Sequence, residues 1–351
     1  MNDPSLSAPS YSRGHVDHCA FDHWYPKLKH VAIKGCIISL PPPFVQYLLE
    51  DGIHLPTDCI ASLPQSEDSN ARIRAIQQVQ VQVEKQFKEL KGKSFIKLNW
   101  SSPRDAKWIL STLQCHTFDD IVLLLKSSDF ITHDLLYPYR FCKDATSSET
   151  RGIANTSPCL VMKKWCNLHD SMLFRGFVRH HALIAMSQRH CEACYPFLSL
   201  RKRSLRSLIE IFFRKHLEPL TLEPAHLDSD FSFDVYIDKN DRVYLVDINV
   251  YGEITNPLLF SYKELQSLQE TTSSIAFRIV ETKRSIQPNS LAKYRVPIDF
   301  MQHLSTDNAM EAFYQQVKRD NASDEGSDDA PEEGSDDVSE EEAMLKEAES
   351  S

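Results

Sequence analysis

A chain of 351 residues that is 42% hydrophobic can hold one large domain or two modest ones around a sizeable core. Its formal charge of −10 is uneven, because residues 320–351 carry 14 acidic side chains against Lys346 alone, a net of −13, which leaves the rest near +3. That balance argues against a strong nucleic-acid binder, and no apolar run nears the roughly 20 residues of a membrane span.

The start, MNDPSLSAPSYSRG, has neither the basic nor the apolar region of a signal peptide, so residues 1–14 are expected to be a flexible leader on a cytoplasmic protein. The nine cysteines, an odd and scattered set, fit reduced thiols. VAIKGCIISL predicts a strand closed by Pro41, Pro42 and Pro43, and SLPQSEDSN reads as a loop. Ile73, Ile76, Val79, Val83, Phe87 and Leu90 recur at helical spacing and stop before Gly92, which predicts an amphipathic helix.

In SFIKLNWSSPRDAKWIL a short strand with Lys97 runs into Ser102, Pro103 and Asp105, the order of an N-cap, a first helical position and a third. A helix start beside a lysine would favour an anion; a surface lysine before an ordinary capped helix is the other reading. IVLLLKSSDFI extends the first half, taken as a lobe over 15–145, and the polar KDATSSETRGIANTSP is a linker. The second lobe, 146–305, opens with strands at CLVMKKWC, MLFRGFV and ALIAMSQR. Arg175 and Arg189 interrupt the last two and need anionic partners or exposed ends. A helix follows from about Arg201 to His216 with a solvated basic face. The segment 306–351 should be disordered, having too little apolar surface to offset chain entropy.

Next comes FSFDVYIDKNDRVYLVDINVYGEITNPLLF. Two alternating strands flank a turn at Asp238, Lys239, Asn240 and Asp241. With a loop of two or four residues, Phe231, Phe233, Val235, Ile237, Tyr244, Val246 and Ile248 share the core face. Asp234 then lies diagonal to Asp247 on the other face, with Asn249 beside it. Two carboxylates so close call for a proton or cation, and with an amide oxygen they suit Mg²⁺. An odd loop would put Asp234 on the wrong face. The nine glycines form no GxG or GxxxxGK loop, so side chains would have to hold any phosphates.

A lysine strand before a helix, arginine strands and a D…D-x-N hairpin resemble the ATP-grasp arrangement. More narrowly, FIKLNWSSPRDAKWI, LLLKSSDFIT, LVMKKWC, FRGFV, SQR, FDVYIDKNDRVYLVDIN and YGEITNPLLFSYKEL resemble the cell division cycle protein 123 family from about His18 to Phe300. The resemblance implies an α+β, ATP-grasp-like fold of two lobes with a nucleotide in the cleft between them. It implies a monomeric, ATP- and Mg²⁺-binding assembly chaperone that binds the gamma subunit of eukaryotic translation initiation factor 2, so that the heterotrimer forms and translation and the cell cycle proceed. It assigns Lys97, Arg175 and Arg189 to phosphates, the strand of Lys163, Lys164, Trp165 and Cys166 to the adenine, and Asp234, Asp247 and Asn249 to Mg²⁺. The chain departs from the family's usual residues at Asn167, Leu173, Val250 and Asn256. The alternative is an ATP-grasp ligase that makes an acyl phosphate for attack by an amine; both readings use the same phosphate and metal residues.

Overall fold

A computed structural model describes residues 11–53, 55–56, 66–147, 156–223, 226–269, 275–289 and 291, all within one compact unit, Met1–Arg295. The fold is mixed α+β with two sheets. Residues 1–10, 148–155 of the linker and the acidic segment 306–351 lie outside the described residues.

The first sheet joins β1 (Gly35–Ser39), β2 (Ser94–Lys97), β3 (Gln114–Cys115) and β4 (Cys159–Lys164) in the order β1-β4-β2-β3. β4, which follows the linker, thus belongs with the strands before it, and the division at 145/146 does not separate the sheets. The reason is burial: Cys159 to Lys163 are all buried, and such a run needs cover on both faces, which a central strand has.

Helices α1 (Arg13–His18) and α2 (Phe21–Leu28) precede this sheet, so the fold already begins within the segment read as a leader. Tyr11 is 6% exposed within the core, and the Arg13 amide donates to Asp144 Oδ1 at 2.8 Å. α3 (Pro42–Leu49) starts on the prolines that end β1, where a missing N–H does no harm. α4 (Glu67–Glu89) is the expected amphipathic helix: Ile76, Val79, Val83 and Phe87 share a core cluster with Ile38, Ile96 and Leu160. Gly92 stops it at φ 74°, its amide donating to Phe87 O at 2.8 Å. Its first turn uses Glu67–Asn70, which reads as loop, because Ser66 Oγ accepts from the Ser69 amide and Glu67 and Asp68 suit a helix N-terminus. α5 (Lys107–Leu110), α6 (Phe118–Lys126) and α7 (Asp129–Leu136) complete this half.

The second sheet has the order β8-β7-β5-β6-β9, from β5 (Leu173–Arg179), β6 (Ala182–Gln188), β7 (Phe231–Ile237), β8 (Val243–Val250) and β9 (Ala276–Arg278). Phe231, Phe233, Val235 and Ile237 join Leu205, Ile209 and Phe213 in one core; full burial of such side chains is worth about 1.5–3 kcal/mol each. The helix there, α8 (Phe197–Phe212), starts four residues before Arg201, then passes through a π turn, Phe213–Leu217, into α9 (Glu218–Thr221). α10 (Tyr262–Ser267) and Phe260 pack on Phe177 and Ile184.

The turn between β7 and β8 is odd, Asp238–Arg242, because Ile237 pairs with Val243. Asp238 Oδ1 accepts from the amides of Asn240 (2.8 Å) and Arg242 (2.9 Å), and Asp241 takes φ 60°. Parity alone would set Asp234 and Asp247 on opposite faces. A β-bulge that inserts Val246 corrects this: Val235 faces Leu245, yet Asp234 faces Asp247 and Ser232 faces Asn249. Asp234 therefore lies directly opposite Asp247 rather than diagonal to it. Near the turn the expected core set is wrong, since Leu245, at 0% exposure, and Val243 take the places assigned to Val246 and Tyr244.

Candidate anion and metal site

Strand register lines polar side chains across the second sheet: Asp247 on β8, Asp234 on β7, Arg175 on β5, Ser187 on β6 and Arg278 on β9 are successive partners. Arg175 grips Asp234 in a bidentate pair, Nε to Oδ1 at 2.7 Å and Nη2 to Oδ2 at 2.9 Å. Arg189, just past β6, adds Nε to Oδ2 at 2.8 Å. Burial alone would raise the Asp234 carboxyl, but the two guanidinium groups hold it far below the usual carboxylate range. Both strand arginines thus have the anionic partner their setting demanded, and it is the same one.

The first sheet supplies more cations. Val31 O accepts from the Leu245 amide at 2.8 Å and the Ile33 amide donates to Leu245 O at 3.2 Å, so the segment leading into β1 runs along the edge of β8. Lys97, at the end of β2 and 1% exposed, reaches both oxygens of Asp247 at 2.7 Å. Lys163 Nζ donates to Val246 O at 2.5 Å, which satisfies the carbonyl that the bulge leaves out of the ladder. Burial pushes the Lys163 ammonium down to about 8, with Asp247 opposing and Lys97 assisting. The face of Phe21 lies 5.8 Å from Lys97 Nζ and 5.2 Å from Lys163 Nζ, a cation–π wall against both.

The expected helix N-terminus after Lys97 is different in kind. Pro103 leads into a 3-10 turn, Arg104–Ala106, and α5 has only four residues and no side-chain cap. Asp105 turns away to accept from Ser128 Oγ at 2.5 Å and the Phe130 amide at 3.2 Å. What this segment adds is Arg104, which sits inside the capping pattern of Ser102, Pro103 and Asp105 and carries no motif of its own. Arg104 is exposed but crowded by protein, and desolvation, then Arg189 and Arg175, bring its guanidinium down to about 10.

Of the residues singled out in the sequence, Lys97, Lys163, Arg175, Arg189, Asp234 and Asp247 come together. Asn249 follows on the same face, and its Nδ2 is buried with no hydrogen-bond partner among the described residues. Lys164 is exposed, next to buried Lys163 in β4. Trp165 donates its amide to Lys93 O and its Nε1 to Asn167 Oδ1, and Cys166 is half-buried; among the described residues no hydrogen bond joins these two to the carboxylates. Among the four departures, Val250 packs in the core, Leu173 O accepts from the Arg189 amide at 2.9 Å, and Asn256 O accepts from Arg175 Nη1 at 2.9 Å.

Two carboxylates stand among five cations: Lys97, Lys163, Arg175, Arg189 and Arg104. The excess positive charge in a desolvated place suits a polyanion. Among the described residues no three His, Cys, Asp or Glu side chains form a metal cluster. The donors here are two carboxylates and an amide, hard oxygen ligands of the kind Mg²⁺ takes together with phosphate. The unpartnered group on Asn249 is its Nδ2, an N–H donor that suits a phosphate oxygen, which leaves Oδ1 for a metal.

A family model described as D123 matches residues 24–304. A Xenopus tropicalis protein named translation initiation factor eIF2 assembly protein is 35% identical over 341 residues, covering 89% of this chain and 98% of its own. An Emericella nidulans protein of the same name is 39% identical, over 76% of this chain and 67% of its own. The solved structure of C-terminally truncated Cdc123 from Schizosaccharomyces pombe, 35% identical, matches with a TM-score of 0.65 over 77% of this chain and 98% of that one.

Proposed function

The chain belongs to the D123 family, and from that premise we propose that it is an assembly chaperone for eukaryotic translation initiation factor 2, one that binds ATP and Mg²⁺. It binds the gamma subunit of the factor as a cytoplasmic monomer, in an ATP-grasp-like arrangement where the nucleotide lies between the two sheets. The observation that carries the nucleotide half is the meeting of Lys97 and Asp247, from different sheets, at 2.7 Å, beside the pair of Arg175 and Asp234. The assembly half is supported by the names of relatives that align with most of the chain.

The residues present fit both ligands. Asp234, Asp247 and Asn249 would hold Mg²⁺, which when bound screens phosphate charge. Lys97, Arg104, Arg175 and Arg189, now held by or crowded around the carboxylates, would face the phosphates. The segment of Lys163, Lys164, Trp165 and Cys166 would border the adenine.

The test is reconstitution. Purified chain mixed with the three separate subunits of the factor should retain the gamma subunit and speed heterotrimer formation when ATP and Mg²⁺ are present. Failure to retain that subunit, with ATP turned over and a small-molecule conjugate formed once cell extract supplies carboxylates and amines, would reverse the reading in favour of the ligase.

A further inference from the structure

The loop from β2 to α5 has Lys97 at one end and Arg104 at the other, and side chains from several elements fasten it. Asn99 Oδ1 accepts from the Cys159 amide at 2.8 Å, Asn99 Nδ2 donates to Asp22 Oδ1 at 3.1 Å, and Trp100 Nε1 donates to Val16 O at 2.8 Å. Ser101 O closes the turn by accepting from the Leu98 amide at 2.8 Å. Behind the turn stands Asp134 of α7, 6% exposed. Its Oδ2 accepts from the Ser101 amide at 2.7 Å and its Oδ1 from Ser101 Oγ at 2.8 Å. Asp105 ties the far end of the loop to the start of the same helix through Ser128 and Phe130.

We propose that Asp134 is a positioning residue of the anion site: by holding Ser101 from behind, it fixes Lys97 against Asp247 and sets Arg104 beside Arg175 and Arg189. The inference rests on reading this site as a nucleotide site, but its mechanical part does not need the nucleotide. Asp134 makes no hydrogen bond to the row of charges; its bonds hold Ser101, and Lys97 is near enough to favour its ionised form. A buried carboxylate burdens stability unless its setting compensates, and burial here pushes the Asp134 carboxyl up to about 6. Its return is therefore geometric: two bonds to one residue fix both the position and the direction of the turn.

The test uses the full chain and the variants Asp134→Asn, which keeps the shape, and Ser101→Ala, which removes only the hydroxyl bond. Nucleotide-free protein is treated with a lysine acylating reagent and labelling at Lys97 is read by mass spectrometry, with exposed Lys164 as the internal reference. Lys97 should be protected in the parent and labelled several-fold faster in Asp134→Asn, with Ser101→Ala between. ATP with Mg²⁺ should bind about tenfold more weakly to Asp134→Asn, the loss of one charge-assisted bond. That loss should be smaller in a Lys97→Met background, where only its Arg104 part is left. Unchanged Lys97 labelling in both variants overturns the proposal, as does a loss that multiplies with that of Lys97→Met. If the parent itself binds no ATP, the nucleotide reading fails while the labelling still decides the role of Asp134.

Discussion

Asp234 and Asp247 face each other across β7 and β8, yet they are neutralised from opposite directions, Asp234 by Arg175 and Arg189 of its own sheet and Asp247 by Lys97 of the other. The two carboxylates also differ in access, their side chains being 2% and 21% exposed. Removing one therefore tests folding, and removing the other tests binding.

Arg175→Met leaves Asp234 buried with only Arg189 to pair it, and should destabilise the protein by about 3–5 kcal/mol in urea. The double variant Arg175→Met/Asp234→Leu removes charge and countercharge together and should lose less than the single. A double variant as unstable as the sum of its singles would show that the pair is not the unit described.

Arg104 is exposed and forms no ion pair among the described residues, so Arg104→Ala should change stability by under about 0.5 kcal/mol. Its place beside Arg175 and Arg189 predicts weaker ATP binding, by about 10- to 100-fold for the loss of a charged hydrogen bond. Fluorescence titration with an ATP analogue measures this; an unchanged affinity removes Arg104 from the site.

Asp134 makes a pH-dependent contribution. Its carboxyl is raised from the usual 3.8 to about 6 by burial, against the hydrogen bonds from Ser101. Between those values the folded state binds more protons than the unfolded one, so this contribution to stability falls as pH rises through the window, by about 3 kcal/mol in all. Asp234, with its carboxyl depressed, acts oppositely, contributing above its unfolded pKa and losing that contribution as pH falls. Denaturation of the parent and Asp134→Asn from pH 4 to pH 7 separates the two: the variant should gain on the parent as pH rises. Parallel curves would contradict the shift.

Local pattern carried much of this structure. Helical spacing from Ile76 to Phe87 located α4, and alternation from Phe231 to Ile237 located β7 and its buried face. The D…D-x-N spacing picked out side chains that do share a face. What stayed hidden depends on distant partners. The five-residue turn arises from the Asp238 carboxylate, and the bulge that repairs its parity exposes a carbonyl that Lys163 satisfies from the other sheet. β4 follows a polar linker, so its return to the first sheet could be inferred only from its unbroken burial. Arg104 was masked by a plausible capping motif, and Phe21 gives no sign in its neighbours that its ring lies against two lysines.

The nucleotide reading is tested most directly by calorimetric titration of ATP into the parent and into Asp247→Asn, each with and without Mg²⁺. Asp247 is accessible enough for the amide to be tolerated, and its carboxylate joins the metal face to Lys97. The parent should bind ATP with an affinity that depends on Mg²⁺, and Asp247→Asn, which leaves buried Lys97 without its carboxylate, should lose that dependence while remaining folded at the temperature of the titration. Equal affinities for both proteins, with or without the metal, would contradict the assignment of this hairpin to a metal–nucleotide site.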